Sequence, residues 1–333
     1  MNTSIPDYLQ TPRTHDGRTP FHPIVMQFAA KMINKTYEEF MTDYRVLVEA
    51  NMKCLELFDM DSVSVISDPY RETSGFGARI SFNGDSSPRA EKIVSGPEDV
   101  IRLKIPDIYS NERMTDRLKA AELFREKLGN KFPVVGWVEG PLAEACDLAD
   151  ISGILIQLMV DPQMVTDLMD KCLELGKIFA KAQIDAGANI IGVGDAICSQ
   201  ISPDIYEAYI LPRHISLFEH IHSSGGKVKL HICGNTTHLL PYLSKTKADI
   251  IDLDWMVSFE EARKHLGPDV WLSGNPDPVS LIQDGTEQNI TDNYFSIIKE
   301  NGGKNNFIYS AGCEITPSTT VEKVKFMRQI SLP

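Results

Sequence analysis

Two short stretches of this chain carry residue types that bind metal. The run Lys227-Val-Lys-Leu-His-Ile-Cys-Gly presents His231 and Cys233 two positions apart. In an extended strand residues i and i+2 share a face, so the imidazole and the thiol aim together. Zinc prefers both as ligands. A third candidate, Cys313, stands far downstream in Tyr309-Ser-Ala-Gly-Cys-Glu, after another strand-like run. The expected site is a zinc held by His231, Cys233 and Cys313 with one position open, as catalytic zinc requires. By spacing alone, a lone histidine at a strand end is more often a hydrogen-bonded loop residue than a ligand.

A site of this kind needs a scaffold, and the composition allows one. The chain has 333 residues, a length that one α/β barrel can occupy. Its 33 basic and 46 acidic residues leave a net charge of -13. That argues against nucleic acid or an anionic membrane surface as a partner. The N-terminal residues lack the basic-then-apolar pattern of a signal peptide. No run approaches the roughly 20 apolar residues of a membrane span, so the expected location is the cytoplasm. Six cysteines there do not form a disulfide framework. Cys54 and Cys172 fall within helical patterns and Cys146 just before one, as buried thiols do. Cys198, Cys233 and Cys313 instead follow or end strand-like runs.

Eight such runs alternate with helical patterns along the chain. They cover residues 23–28, 62–68, 133–139, 189–195, 227–233, 249–254, 270–275 and 307–312. Helix starts are marked by Thr36 with Glu39, by Ser202-Pro203-Asp204 and by Ser258 with Glu261. The first of these predicts one helix running from Thr36 through Leu55. Stops are marked by Gly129, Gly187, Gly225-Gly226, Gly267 and Gly302-Gly303. Together they predict an α/β fold, a (β/α)8 TIM barrel with N-terminal helical and hairpin additions, as a single domain over 1–333. Residues 1–20 read as an extended arm. Residues 70–130 read as an inserted hairpin, turning at Asn83-Gly84, followed by helices. The weaker alternative is an open doubly wound sheet, because Gly192-Val-Gly194 lacks the third glycine and opening helix of a dinucleotide loop.

Barrel active sites lie at the C-terminal ends of the strands. The residues there are Gln27, Asp68, Glu139, Asp195, His231 with Cys233, Asp254, Asn275 with Asp277, and Cys313 with Glu314. Asp195, Asp254 and Glu314 are the candidate catalytic carboxylates. Asn275 and Asp277 are the candidates for cofactor binding. Asp195 and Asp254 also read as caps of neighbouring helices. His214, His220, His222 and His265 read as surface or packing residues, and His238 as a minor candidate for touching substrate. Arg71 and Arg79 read as solvated, with pairing to an anionic substrate as the alternative.

The stretches His231-Ile-Cys-Gly-Asn-Thr236, Gly274-Asn-Pro-Asp-Pro278 and Ser310-Ala-Gly-Cys-Glu-Ile-Thr-Pro317 resemble the uroporphyrinogen decarboxylase superfamily. Within it they resemble the zinc methyltransferase branch that includes the methylcobalamin:coenzyme M methyltransferases. Gly187-Ala-Asn-Ile-Ile191 and Ser202-Pro-Asp-Ile-Tyr-Glu207 add to a likeness running from about Arg18 to the C-terminus. Two departures separate the chain from true decarboxylases. Val25-Met-Gln-Phe-Ala-Ala30 lacks the arginines that hold the porphyrinogen carboxylates. Gly312-Cys-Glu-Ile315 has a cysteine where decarboxylases carry histidine.

The resemblance implies a barrel, a zinc on His231, Cys233 and Cys313, and transfer of a methyl group. The methyl would pass between a methyl-corrinoid, as methylcobalamin or on a corrinoid protein, and a thiol or other small acceptor. Asp254 is the candidate for filling the fourth zinc position at rest. Alternatives are methylation of a corrinoid from a methyl ether or methylamine, and uroporphyrinogen decarboxylation, since Asp195 matches a decarboxylase aspartate. A non-catalytic zinc protein that docks a corrinoid partner is a further alternative.

Overall fold

Residues 18–302 and 306–332 are described by a computed structural model of the chain. Most of the expected N-terminal arm, and Gly303, lie outside the described residues. Nine strands run in chain order: β1 Val63–Ser64, β2 Ile80–Asn83, β3 Ser86–Ala90, β4 Val134–Glu139, β5 Ile190–Gly194, β6 Lys227–Ile232, β7 Ile250–Leu253, β8 Trp271–Gly274 and β9 Phe307–Tyr309. Seven of them form one parallel sheet in the order β1-β4-β5-β6-β7-β8-β9, and β2 pairs with β3 alone.

The sheet is closed by residues 20–24. His22 N donates to Tyr309 O at 2.9 Å, Tyr309 N to Pro20 O at 2.8 Å, and Asp61 N to Phe21 O at 3.0 Å. Parallel bridges join Phe21 to Tyr309 and Ile24 to Glu314. This extended segment is thus the eighth stave, and the eight expected runs all take their places in a TIM barrel. The first run differs in extent. It gives way at Gln27 to the helix Gln27–Lys31, because Gln27 N is drawn to Glu314 Oε1 at 2.9 Å.

Period-two alternation along the strands divides the barrel into layers. Val135, Ile190, Ile250, Trp271 and Ile308 form a buried apolar plug of their own. One step along each strand in the same parity come Trp137, Gly192, Lys229 and Asp252, and beyond them Glu139, Gly194 and His231. Lys229 and Asp252 are both buried, and burying them is tolerable because they pair at 3.3 Å. The residues of opposite parity, such as Val134, Ile191, Leu230 and Leu272, join the larger core beneath the helices.

The additions follow the expected pattern with one correction. The Thr36 and Glu39 capping box is present, but the helix stops at Thr42. Asp43 is extended and its carboxylate caps a second helix, Tyr44–Phe58, through Arg45 N. The hairpin turns at Gly84, whose φ of +58° suits glycine. It is tied to the start of the first helix by Glu38 N to Gly84 O and Tyr37 N to Asp85 Oδ1, both 2.9 Å. Among the described residues no helix is long and apolar enough to cross a membrane.

Candidate metal centre

The strand β6 carries His231 on the barrel-facing side and ends at Ile232, so Cys233 follows on the same side at the first step of the loop. The chain then turns sharply. Gly234 has φ +89°, and a Cβ there would stand 3.0 Å from Ser199 Oγ, which is why glycine occupies the position. Gly234 N donates to Asp254 Oδ2 at 2.8 Å, so the carboxylate after β7 holds the turn that aims Cys233.

Cys313 arrives from the loop after β9, which is strapped on several sides. Ser310 Oγ donates to His22 O at 3.0 Å, Gly312 N to Pro276 O at 2.9 Å, and Ile315 N to Ile24 O at 2.9 Å. A Cβ at Gly312 would meet Trp255 N at 2.5 Å, so only glycine lets the loops after β7 and β9 approach this closely.

These loops bring the three sequence-predicted ligands together. The donor atoms of His231, Cys233 and Cys313 all lie within 4.8 Å of one another. His231 Nε2 is 3.1 Å from Cys233 Sγ, and the two sulfurs are 3.9 Å apart. Two thiolates bound tetrahedrally at about 2.3 Å from one zinc stand about 3.8 Å apart, so the donor set fits that ion. Behind the imidazole, His231 Nδ1 lies 3.1 Å from Asp252 Oδ2. A carboxylate there fixes the ring and leaves Nε2 as the ligand, the usual arrangement behind a metal-bound histidine. Asp252 was missed by a reading confined to strand ends, because it sits inside β7 as the register partner of His231.

Burial lowers the His231 imidazole, but Asp252 and Cys313 outweigh it and hold it up at about 10. The hydrogen bond from Cys233, followed by His231, holds the Cys313 thiol down at about 4, while the same bond pushes Cys233 up. Burial opposes ionisation of Asp252, but Lys229 and His231 outweigh it and hold the carboxyl well below the usual range.

The trio opens into a cavity of about 160 Å³, walled by Ile24, Met26, Ile66, Pro69, Trp137, Gly194 and Ala196, with Asp68, Glu139 and Glu314 among its polar residues. Burial raises the Glu314 carboxyl to about 7. Burial also raises Asp68, but Arg71 and Arg113 overcome it and hold that carboxyl at about 2. Arg71 is thus a buried partner of Asp68 at 2.8 Å rather than a solvated residue, whereas Arg79 is exposed as expected.

Four sequence candidates have their polar atoms engaged in hydrogen bonds that brace helices and loops. Gly194 faces the cavity, so the next residue, Asp195, points out of the barrel. Its Oδ1 accepts from Ala143 N at 2.8 Å, near the start of the helix Pro141–Leu148, and its Oδ2 lies 2.9 Å from His214 Nε2. The Asp254 oxygens are taken by Gly234 N and by Met256 N at 3.1 Å, and it does not join the donor group. Asn275 Nδ2 donates to Asp254 O and Val257 O, which fixes the loop after β7. Asp277 caps the helical turn Pro278–Gln283 through Val279 N and Ser280 N. Glu314 alone of the catalytic candidates lines the cavity. His238 Nε2 contacts Ile201 O at 3.0 Å and serves the neighbouring loop.

Comparison with known proteins places this geometry in context. A family model described as uroporphyrinogen decarboxylase (URO-D) matches residues 11–331. A uroporphyrinogen decarboxylase of Trichlorobacter lovleyi is 28% identical over 84% of this chain and 82% of its own length. One of Carboxydothermus hydrogenoformans is 27% identical over 94% and 92%. Among solved structures, a methyltransferase from Methanosarcina mazei superposes with a TM-score of 0.86 at 21% identity, over 94% of this chain and 93% of that one. A B12-independent methionine synthase from Shewanella sp. W3-18-1 reaches 0.59 at 15% identity, over 94% and 95%. The structural likenesses establish the shared barrel.

Proposed function

We propose that this chain, which belongs to the uroporphyrinogen decarboxylase family, is a zinc-dependent methyltransferase that moves a methyl group between a methyl-corrinoid and a small acceptor such as a thiol. The observation that carries this reading is the His231, Cys233 and Cys313 donor set, opening on a cavity and backed by Asp252. His231 Nε2 and the two sulfurs would hold zinc. Bound there, zinc would supply a positive centre that favours the thiolate form of an acceptor thiol, whose pKa is otherwise near 8.5.

The protein's own groups do the positioning. Asp252 holds the His231 ring and Lys229 holds Asp252. Asp254 keeps the Gly234 turn that aims Cys233. A cavity of about 160 Å³ lies below the roughly 300–1,000 Å³ of drug-sized sites, so it admits a small acceptor and leaves a corrin ring at the mouth. That suits a corrinoid presented by a partner protein.

The relatives' names favour a second reading, decarboxylation of uroporphyrinogen. The cavity disfavours it. A porphyrinogen is a tetrapyrrole with many carboxylates, while among the described residues this cavity is lined by three carboxyl groups and by no lysine or arginine.

Metal analysis of the purified chain should return about one zinc per chain, lost in Cys313→Ala. Methylcobalamin mixed with candidate thiols should lose its methyl group, followed in the visible spectrum. A chain that stays metal-free with added zinc would overturn the proposal, and conversion of uroporphyrinogen would replace it with the second reading.

A further inference from the structure

The glycine pair on β5 has a use that a nucleotide loop does not explain. A Cβ at Gly192 would stand 2.1 Å from Trp137 Cε3, and one at Gly194 would stand 3.1 Å from Trp137 Cζ2. Gly192 is therefore required for the Trp137 indole to lie across the barrel face of β5, and Gly194 leaves it room. Its backbone is clamped from outside, with Trp137 N donating to Gln183 Oε1 at 2.8 Å and Gln183 Nε2 donating to Trp137 O at 2.9 Å. The indole Nε1 donates to Glu139 Oε1 at 3.1 Å, and both residues line the cavity beside the proposed metal ligands.

Of the three carboxyl groups in that wall, Asp68 alone has cationic partners, Arg71 and Arg113. Glu314 Oε1 accepts from the neutral Gln27 amide, and Glu139 Oε1 from the neutral indole. Burial, and then Glu72 and Asp147, push the Glu139 carboxyl well up, so a cation seated beside it would supply the counter-charge that favours its ionised form. The indole face adds its own attraction for a cation. An anionic substrate would meet the opposite of what it needs.

We propose that Trp137 and Glu139 form a subsite for a small organic cation, an ammonium or quaternary ammonium group carried by the molecule that exchanges its methyl group at the metal site. The assignment rests on the methyl-transfer reading for its purpose, though not for its chemistry.

Ligand-observed NMR at constant ionic strength tests it with tetramethylammonium, its neutral analogue neopentyl alcohol, and methanesulfonate, on zinc-loaded and zinc-stripped protein. Tetramethylammonium should bind at least about tenfold more tightly than either of the others, a difference of about 1.4 kcal/mol. Glu139→Gln should remove that preference while zinc content and the circular dichroism melt hold. Trp137→Phe, which keeps a ring but loses the indole N–H, should weaken it less. If Glu139→Gln does not fold, the Trp137→Phe and neutral-analogue comparisons still decide. Equal binding of neopentyl alcohol, preference for methanesulfonate, or unchanged affinity in the folded Glu139→Gln protein would overturn the subsite. Cation binding by a chain that takes up no zinc would sink the methyl-transfer reading and leave the subsite. Zinc and methyl transfer without cation preference would do the reverse.

Discussion

Two clusters of metal-ligating residue types stand almost back to back in this molecule. His231, Cys233 and Cys313 form one, and Asp195, Cys198 and His214 the other, each with donor atoms within 4.8 Å of one another. Their backbones even share a hydrogen bond, from Asp195 N to His231 O at 3.1 Å. Yet one faces the barrel interior and the other the helices outside. In the outer cluster the lone pairs are committed: Asp195 to Ala143 N and His214, and His214 Nδ1 to Tyr206 Oη at 2.9 Å. Burial, and then Asp195, push the Cys198 thiol well up, so it stays protonated. In the inner cluster Nε2 and the two sulfurs lie against one another and open on a cavity. Residue types alone do not distinguish the two clusters; open space beside the donor atoms does.

The largest expected effect separates the two clusters directly. Cys313→Ala should abolish zinc binding and methyl transfer while the chain remains folded. His214→Ala should instead strip Asp195 Oδ2 and Tyr206 Oη of their His214 partner in the core and cost about 3–5 kcal/mol of stability, with zinc uptake retained by the folded fraction. Metal analysis alongside thermal melts reads both. Zinc retained by Cys313→Ala, or lost by folded His214→Ala, would break the contrast.

How far the sequence discloses this contrast depends on which face each residue takes. The eight apolar runs are legible because parallel strands buried on both sides read as continuous apolar stretches. The inner trio is legible because i and i+2 share a face. The outer cluster is not, since Asp195 at the end of a run looks like a catalytic residue until Gly194 is known to face inward. Lys229 is available to the same parity argument, two residues before His231. Asp252 is not, because its pairing with His231 depends on the register of β6 against β7. The break at Asp43 is hidden for a different reason. An aspartate inside an apolar helical pattern fits the period, and only its contact as a cap shows that the chain restarts there.

A second pair of substitutions sharpens the comparison at smaller scale. Asp252→Asn removes the charge behind the His231 ring and should lower zinc affinity by about 10–100-fold. Asp195→Asn removes a carboxylate of the same type a few residues from the site, and should leave zinc affinity unchanged while lowering the melting temperature. Competition with a chelator of known affinity measures both. Equal effects on zinc would mean that Asp252 acts through the fold at large rather than through His231.

The smallest effect belongs to Asp277, placed by sequence at the barrel mouth but spent in the structure on Val279 N and Ser280 N. Asp277→Ala should cost about 1 kcal/mol, the usual loss when a capping carboxylate is removed. Zinc content and the rate of methyl transfer should then match the parent protein at temperatures where both are folded. The outcome matters because Asp277 follows Asn275, which braces the Asp254 loop and through it the Gly234 turn. If capping is all that Asp277 does, a small loss of stability stops there. A loss of methyl transfer at unchanged stability would restore it as a contact for the cofactor, and would show that the working face of the barrel extends past the cavity toward β8.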